Sequence, residues 1–325
     1  MSSQRIMVTG GAGYIGAITS HALVNVGHEV VVFDRKDKEI AKAKLGDIQY
    51  IQGDLLDPDV IKSAISIVKP DAVIHFAAYI EMGESVKNPQ KYYTNNVFGS
   101  YNLFSAMIEH GVDKIVFSSS AGVYGNPDSL PIPENACKTP TNPYGETKLI
   151  IERMLQWFET PYNLRSICIR YFNAAGAVED GSLGEDHDPE SHLIPNIIKA
   201  QLEDQEFKLF GGDYPTPDGT CVRDYIHVTD LADAHIKALE ALHSGAKSTV
   251  YNAGTGTGYS NKQIVKMVER VSGKPVKISI VSRRPGDANE LVADVTKIKK
   301  ELNWSPQHSD LETIIRTAYA YHTSS

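Results

Sequence analysis

Two side chains capable of acid–base chemistry, Tyr144 and Lys148, stand four residues apart in the segment PYGETK. Residues four apart on a helix project from the same face, so the phenol and the ammonium group become neighbours if this segment is helical. A free tyrosine has a pKa of about 10, and a nearby positive charge lowers that pKa toward neutrality. The spacing indicates a tyrosine base tuned by a lysine, although a YxxxK pair alone is more often an exposed helix face.

Three consecutive serines, Ser118 to Ser120, lie at the end of the apolar segment Lys114–Ser118. In open parallel sheets, the loops at the carboxyl ends of the strands carry the chemistry. Ser120 could therefore relay a proton between a substrate hydroxyl and Tyr144. The alternative is that these serines only satisfy backbone groups of the loop, as serines at strand ends commonly do.

A glycine-rich segment, VTGGAGYIG, ends the first apolar run and leads directly into a helical pattern. Its glycines, Gly10, Gly11, Gly13 and Gly16, have the spacing that lets backbone approach a pyrophosphate at a helix start. Asp34 follows about twenty residues later, where a carboxylate accepts hydrogen bonds from the ribose of NAD and repels the extra phosphate of NADP. The pattern predicts a dinucleotide site that favours NAD, and the alternative is that Arg35, next to Asp34, holds the extra phosphate of NADP.

Asp54 follows the third apolar segment, and two interpretations of it stay open. Its carboxylate could accept a hydrogen bond from an adenine amino group, or it could be a turn aspartate that caps the next helix.

Short apolar segments alternate with longer segments of helical period, and these elements must position the groups above. The former predict buried strands at Arg5–Thr9, Glu29–Phe33, Ile48–Ile51, Ala72–Phe76, Lys114–Ser118 and Ser166–Arg170. The latter predict helices at Tyr14–Val26, Pro58–Val68, Pro89–Glu109 and Pro143–Phe158. The alternation predicts an α/β fold, a Rossmann-type doubly wound parallel sheet.

Beyond about residue 171 the pattern changes. Turn-rich stretches at 176–189 and 211–220 separate helices predicted at Leu193–Leu202, Thr229–Leu242 and Asn261–Val271. Ser260 and Gln263 have the spacing of a capping box at the start of the last of these. We therefore expect a smaller C-terminal part built of loops and helices.

The overall composition excludes several classes of function. The 325 residues include 40 acidic and 32 basic side chains, a net charge of −8, which gives no general attraction to nucleic acid or anionic lipid. No apolar run approaches the roughly 18–20 residues that a membrane span needs. Three cysteines without a CxxC pair suit a reducing compartment. We expect a cytoplasmic protein with neither nucleic acid nor membrane as a partner.

Segments over nearly the whole chain resemble the extended short-chain dehydrogenase/reductases, and within them the 4-epimerases of UDP-sugars. These segments are VTGGAGYIG, HFAAYIEMGESV, YYTNNV, FSSSAGVYG, NPYGETK, RYFNAAGA, GDYPTPDGTCVRDYIHVTDLADAH, YNAGTGTGYS and RRPGD. The resemblance implies an NAD-dependent enzyme that interconverts UDP-glucose and UDP-galactose through a transient 4-keto sugar. It also implies an NAD-binding domain at residues 1–171 plus about 222–253, and a UDP-sugar-binding domain at about 172–221 plus 254–325.

The resemblance also assigns roles to residues. Tyr144 would be the base, Lys148 would hold the nicotinamide ribose and tune Tyr144, and Ser120 would share the substrate hydroxyl. The expected NAD contacts are Gly10, Gly11, Gly13, Tyr14, Ile15, Gly16, Asp34, Asp54, Leu55, Phe76, Ala77, Asn95, Ser118, Tyr144, Lys148 and Phe172. The expected contacts of the UDP-sugar are Ser120, Tyr144, Asn173, Leu193, Arg223, Arg284 and Asp287. The two arginines suit this role because a guanidinium fork matches a pyrophosphate, although alone each would be interpreted as a surface charge.

Several alternatives stay open. A 4-epimerase could act on UDP-N-acetylglucosamine, UDP-xylose or UDP-glucuronate instead, although Leu291 stands where a bulky residue favours plain hexoses in the family. A dehydratase or decarboxylase would need an acid after Ser120, where this chain has Ala121 and Gly122. A non-catalytic NAD-binding sensor would have no use for the Tyr144, Lys148 and Ser120 set.

Two further expectations concern metal and assembly. The EDHD segment at 185–188 resembles a set of metal ligands, but consecutive residues rarely converge on one ion, so we expect a solvated acidic loop and no metal. The long helices predicted at Pro89–Glu109 and Pro143–Phe158 commonly pack against their twofold mates in this family, which predicts a homodimer.

Overall fold

The computed structural model describes residues 3–283 and 288–324, and these form two compact units. The strands, in chain order, are β1 (Arg5–Thr9), β2 (Glu29–Asp34), β3 (Gln49–Gln52), β4 (Ala72–His75), β5 (Lys114–Ser118), β6 (Arg165–Tyr171), β7 (Asn173–Ala175), β8 (Phe207–Phe210), β9 (Val222–His227), β10 (Thr249–Ala253), β11 (Gly258–Ser260), β12 (Ile278–Val281) and β13 (Glu290–Leu291).

The helices divide into long and short elements. The α-helices are α1 (Tyr14–Asn25), α2 (Lys38–Leu45), α3 (Pro58–Val68), α4 (Met82–Lys87), α5 (Pro89–Tyr92), α6 (Gly99–Glu109), α7 (Pro143–Tyr162), α8 (Leu193–Leu202), α9 (Val228–His243), α10 (Asn261–Ser272), α11 (Thr296–Leu302) and α12 (Leu311–Ser324). A π-helical turn covers Tyr93–Phe98, and a 3₁₀ turn covers Ala121–Val123.

The first unit comprises residues 1–125, 138–170 and 232–251 where described, and it is built on the larger sheet. Within the described residues that sheet has seven strands in the order β10-β6-β5-β4-β1-β2-β3, with β1 to β6 paired in parallel. The chain order reverses between β1 and β4, which is where open α/β sheets bind ligands. The Rossmann-type doubly wound sheet predicted from the sequence is confirmed.

Buried apolar side chains from both faces explain why these strands lack polar alternation. Met7, Val31, Val73 and Ile115 join side chains of α3, α6 and α7 in one core cluster, and the residue that follows each of them, whose side chain points to the opposite face, is also buried. Burial of such side chains is the dominant favourable contribution to folding. The sheet is therefore a rigid support for the groups at its strand ends.

The second unit comprises residues 126–137, 171–231 and 252–324 where described. It has small sheets of its own, in which β9 pairs with β7, β11 and β13, while β8 pairs with β12. Our expectation of loops and helices alone for this part is therefore wrong. Strands here are very short, such as β13 with two residues, or contain charged side chains, such as β9 with the sequence VRDYIH, so they give no clear apolar run.

The division differs from the expected boundaries in two stretches, 126–137 and 222–231, which belong to the second unit. The first is attached there by Ile132, whose backbone exchanges hydrogen bonds with Val292 and Asp294. The second contains β9, whose partners are all strands of that unit. The assignment of NAD to one unit and UDP-sugar to the other stays a proposal.

Helix boundaries follow their capping residues. Ser260 accepts from the backbone of Gln263, whose side chain accepts from the backbone of Ser260, so the capping box predicted for α10 is confirmed. The single helix predicted at Pro89–Glu109 is instead α5, the π-helical turn and α6. A helix at Lys38–Leu45, capped by Asp37, was not predicted.

No helix in the described ranges combines the length and apolar character that crossing a lipid bilayer requires.

Candidate active site

The glycine-rich turn between β1 and α1 has backbone where side chains would clash. Gly10 has φ of +73°, and a Cβ there would lie 2.5 Å from the backbone nitrogen of Ala77. A Cβ on Gly16 would lie 2.3 Å from the carbonyl oxygen of Gly10. Gly13 is the N-cap of α1 and has no side chain to occupy the space before the first backbone N–H groups of the helix. The turn thus leaves room for a phosphate at the start of the helix.

Asp34 lies at the end of β2 and reaches this turn. One carboxylate oxygen accepts from the backbone of Ala12 at 3.0 Å, and the other accepts from the backbone of Lys36 at 3.1 Å. An ionised carboxylate has about four acceptor positions, so it can still accept from a ribose hydroxyl. The glycine-rich turn and the carboxylate beside it fit a dinucleotide.

Phe76 and Ala77 follow β4 and lie beside the same turn. The backbone N–H groups of both donate to the carbonyl oxygen of Thr9, at 2.9 and 3.1 Å. The ring of Phe76 contacts that of His235, with ring centroids 4.7 Å apart. The close approach of Ala77 to Gly10 is one reason why the turn requires glycine.

A pocket of about 430 Å³ lies at the ends of β2 and β3. It is lined by Arg35, Asp54, Leu56, Tyr79, Asn88, Gln90, Lys91, Thr94 and Asn95. Asp54 accepts from the backbone of Leu56 at 2.9 Å, whereas the N-cap of α3 is Asp57. Asp54 is thus a turn aspartate that lines a pocket, and the helix-capping alternative is excluded. Leu55, next to it, is buried.

The first turn of α7 holds Tyr144. Asn142 caps this helix by accepting from the backbone of Gly145 at 2.9 Å, and Pro143 occupies the first helical position. The phenol of Tyr144 is therefore near the positive end of the helix dipole, which favours an anion. Tyr144 is only 4% exposed, so bulk water screens these charges weakly.

Lys148 is one turn further along α7 and is fully enclosed. Its ammonium group donates to the carbonyl oxygen of Ser118 at 2.7 Å and lies 5.9 Å from the centre of the Tyr144 ring. Burial lowers the pKa of Lys148 to about 7, while the charge of Glu152 opposes that shift. The predicted neighbourhood of Tyr144 and Lys148 is therefore present in the structure.

Ser120 and Tyr144 both lie next to Gly122. The hydroxyl oxygen of Ser120 accepts from the backbone of Gly122 at 3.0 Å. A Cβ placed on Gly122 would lie 3.2 Å from that oxygen and 3.8 Å from Cε1 of Tyr144. The three predicted catalytic residues thus converge at the carboxyl end of β5, in one unit.

Several residues that support this group were missed in the sequence. Asn96 is buried in the π-helical turn, where its amide bonds both backbone groups of Tyr79 and the hydroxyl of Thr147. Its neighbour Asn95, which was predicted, lines the pocket instead. Glu152 and Arg170 form a buried ion pair near Lys148. Their separation of 18 residues in the sequence gives no local signal.

The residues predicted to hold the UDP part lie in the second unit where they are described. Asn173 is on β7, Leu193 is the first residue of α8, and Arg223 is on β9, where it donates to the carbonyl oxygen of Val222 at 2.9 Å. Phe172, predicted near the nicotinamide, is buried and belongs to the same unit. Arg284 and Asp287 lie outside the described residues.

The segment 185–192 differs from the solvated acidic loop that we expected. Glu185 is buried and lies 2.7 Å from Nδ1 of His192 and 3.2 Å from Nδ1 of His187. Glu190 lies 3.3 Å from the same atom of His192. These four residues are close enough to hold a metal ion, but their distances are also those of ion pairs. The expectation of no metal stays a prediction.

Comparisons with known proteins agree with this geometry. Residues 6–254 match the model of the NAD dependent epimerase/dehydratase family. The chain belongs to this family. A protein of Halalkalibacterium halodurans named UDP-glucose 4-epimerase is 46% identical over 318 residues, which cover 98% of this chain and 95% of the relative. The resemblance stated from the sequence is thereby confirmed.

Two solved structures show the same fold for members of the epimerase/dehydratase family. One is UDP-glucose 4-epimerase from Brucella ovis in complex with NAD, with a TM-score of 0.93, 43% identity and 98% of each chain covered. The other is the enzyme of that name from Bifidobacterium longum with NAD+ and UDP, with a TM-score of 0.92, 37% identity and 98% of each chain covered. NAD is therefore the cofactor of this chain, as predicted.

The glycine turn predicts a first measurement. We expect Gly16→Ala to weaken NAD binding by at least about tenfold, because the new Cβ must displace the backbone of Gly10. Equilibrium binding of NAD to cofactor-stripped protein would measure the change. Gly83→Ala is a matched control, since a Cβ there meets nothing within 4 Å. Equal NAD affinity of Gly16→Ala and the unmodified protein would contradict the placement of the cofactor.

The ion pairs of Glu185 predict a pH dependence of stability. Burial alone would raise the pKa of Glu185, but hydrogen bonds from His187 and His192 outweigh burial and lower this pKa to about 2. Burial alone would lower the pKa of His192, but its bonds to Glu185 outweigh burial and raise this pKa to about 10. The His192 contribution is complete below its unfolded pKa of about 6.5 and is lost as pH rises toward 10. The Glu185 contribution is complete above about 4.5 and is lost as pH falls toward 2.

We therefore expect the thermal unfolding midpoint to fall as pH rises from about 6.5 to 9, and Glu185→Gln to remove part of that fall. The imidazole of His192 is 39% exposed, so solvent reduces the effect. Calorimetry at several pH values would measure it, with Asp188→Asn in the same segment as the control. The ion-pair interpretation fails if Glu185→Gln and Asp188→Asn show the same pH dependence.

Proposed function

We propose that this chain interconverts UDP-glucose and UDP-galactose by inverting C4 of the sugar, with NAD as cofactor. The observation that carries the proposal is the convergence of Tyr144, Lys148 and Ser120 at the carboxyl end of β5, in the unit that holds the glycine turn. Relatives named UDP-glucose 4-epimerase, which are 42–46% identical over 98–100% of this chain, support it.

NAD, when bound, supplies an acceptor for the hydrogen that leaves C4 with its electron pair and returns it at the end of the cycle. Gly10, Gly13 and Gly16 would admit its pyrophosphate, and Asp34 would accept from the adenosine ribose. Asp54 and Asn95 would contact the part of the cofactor that enters the pocket at the ends of β2 and β3.

Tyr144 would take the proton of the C4 hydroxyl and give it back when the carbon is reduced again. A phenol does this at neutral pH only if its pKa falls well below the usual value of about 10. The positive end of α7 and the ammonium group of Lys148 both act in that direction. Ser120 would share the hydroxyl and orient it toward the phenol.

The UDP part would be held by Asn173, Leu193 and Arg223, with Arg284 and Asp287 as further proposed contacts. A guanidinium group matches diphosphate oxygens by geometry and charge. Inversion at C4 also requires the sugar to present its other face before reduction, so binding energy must come mainly from the nucleotide. Leu291, on β13, favours a plain hexose over an N-acetylated sugar.

The residues after Ser120 argue against a dehydratase or decarboxylase. Those reactions start with the same oxidation but need an additional acid to complete the elimination. The 3₁₀ turn here contains Ala121, Gly122 and Val123, none of which can transfer a proton. A 4-epimerase of another UDP-sugar shares all the described machinery and is therefore the second candidate.

Turnover without added reductant tests the proposal. We expect purified protein incubated with UDP-galactose to form UDP-glucose, and Tyr144→Phe to reduce kcat by about 10²–10⁴-fold because the base is lost. Chromatography of the nucleotide sugars would measure both rates. Tyr319→Phe removes a phenol from α12 and is the matched control, expected to keep full activity.

Parallel incubations with UDP-N-acetylglucosamine, UDP-xylose and UDP-glucuronate would rank the alternatives. Faster conversion of one of these would replace the hexose assignment while keeping the 4-epimerase. No conversion of any UDP-sugar by protein with bound NAD would favour a non-catalytic sensor and contradict the proposal.

A homodimer and a cytoplasmic location are also proposed. Aromatic side chains are exposed along the π-helical turn, α6 and α7, namely Phe98, Tyr101, Trp157 and Tyr162. Tyr101 of α6 and Tyr162 of α7 both contact the ring of Phe158, so exposed aromatic side chains of the two helices are joined, which supports burial against a second copy. The three cysteines are free, which suits a reducing compartment.

We expect Trp157→Glu to convert a dimer into a monomer, because it places a charge in the apolar face of α7 where Trp157 is 79% exposed. Sedimentation velocity would measure the mass of each species. Ile280→Glu, at an exposed position on β12, is the control and should leave the mass unchanged. A monomeric mass for the unmodified protein would refute the homodimer.

A further inference from the structure

A buried ion pair lies one helical turn beyond Lys148. The carboxylate of Glu152 on α7 accepts from Nε of Arg170 at 2.9 Å and from Nη2 at 2.5 Å. The hydroxyl of Ser119 also donates to it, at 2.6 Å. Both charged side chains are 3% exposed. The carboxylate is therefore held on both oxygens by one guanidinium group from β6.

Arg170 is fixed in turn by a second contact. Its remaining terminal nitrogen donates to the hydroxyl of Tyr124 at 2.9 Å, and its guanidinium carbon lies 5.0 Å from the centre of that ring. Replacing buried ion pairs by apolar residues is often neutral or even stabilising, so stability alone is a weak explanation for this one.

The position of Glu152 makes the pairing significant for Lys148. A lysine and a glutamate four residues apart on a helix are neighbours that ordinarily attract one another. Here the ammonium group of Lys148 instead donates to the carbonyl oxygen of Ser118, while Glu152 is taken by Arg170. Ser118 and Ser119, adjacent on the chain, thus bind the two side chains separately.

The other titratable groups that face Lys148 carry no charge near neutral pH. Burial lowers the pKa of His75, on β4, to about 3 and raises that of Cys168, on β6, well above its usual value. Among the described residues, the charged side chains that remain beside Lys148 are therefore those of Glu152 and Arg170. Because Arg170 holds both carboxylate oxygens of Glu152, less of that negative charge offsets the field of Lys148 at the Tyr144 ring.

We propose that Arg170 is a positioning residue that withholds Glu152 from Lys148, so that the ammonium charge acts on the phenol of Tyr144. The inference rests on the proposed function, in which Tyr144 is the base. Without Arg170, the carboxylate would turn to the nearest cation, which is Lys148 on its own helix. The phenol would then lose the charge that favours its ionised form.

The ionisation of Tyr144 in protein with bound NAD tests this without turnover. Its phenolate can be followed by ultraviolet difference spectra against the same protein carrying Tyr144→Phe. We expect Arg170→Met to raise the pKa of Tyr144 by about one unit or more, and kcat at neutral pH to fall about tenfold per unit. Lys148→Met calibrates the readout, since it removes the charge itself.

The double variant Glu152→Gln with Arg170→Met separates electrostatics from packing. It removes both charges of the pair, keeps an acceptor for Ser119, and should return the pKa of Tyr144 close to that of the unmodified protein. A merely structural role predicts that the double variant is as impaired as the single one, which would overturn the proposal. An unchanged Tyr144 pKa in Arg170→Met would overturn it as well.

Arg170→Lys covers the case in which Arg170→Met does not fold. A lysine keeps the charge but cannot hold both carboxylate oxygens, so we expect a smaller upward shift, and no shift would overturn the proposal. A Tyr144 pKa of about 10 in the unmodified protein would instead refute the role of Tyr144 and the inference with it. A low pKa that is insensitive to Arg170 refutes the inference alone.

Discussion

The enclosed ammonium group of Lys148 is the constraint on which the rest of the site depends. A cation taken out of water is costly unless polar groups replace the solvent, and here the carbonyl oxygen of Ser118 is one such group. Ser118 is the last residue of β5, so this carbonyl oxygen lies at the carboxyl end of the strand. The end of β5 and helix α7 together therefore fix the position of the Lys148 ammonium group.

The same burial explains why the surroundings of Lys148 are so uniformly neutral or paired. His75 is held between the hydroxyls of Thr9 and Ser100, at 2.6 and 2.9 Å, which satisfies a neutral ring. A charged imidazole there would repel the ammonium and lower its pKa further. Residues on the strands behind the site, which would not touch substrate, therefore also help to set the charge state of Lys148.

The features that could be predicted from the sequence are those with local signals. The glycine turn and Asp34 lie in one continuous strand–helix–strand segment, and the YxxxK pair lies on one helix, so their spacing alone brings them into place. Glu152 and Arg170, or Asn96 and Tyr79, meet only through tertiary packing. The burial of Glu185 was mispredicted because His192, which lies 2.7 Å from its carboxylate, is seven residues away. Short strands such as Glu290–Leu291 carry too few residues to show a period.

The π-helical turn at Tyr93–Phe98 has a consequence for how this chain can vary. Asn96 in this turn bonds Tyr79 and Thr147, while its neighbour Asn95 lines the pocket. The turn holds one residue more than an α-helical turn, which sets how the residues before it are rotated relative to α6. Deleting one residue there would restore regular helix and rotate the preceding side chains by about 100° relative to α6. Insertions and deletions should therefore be tolerated less in this stretch than many substitutions.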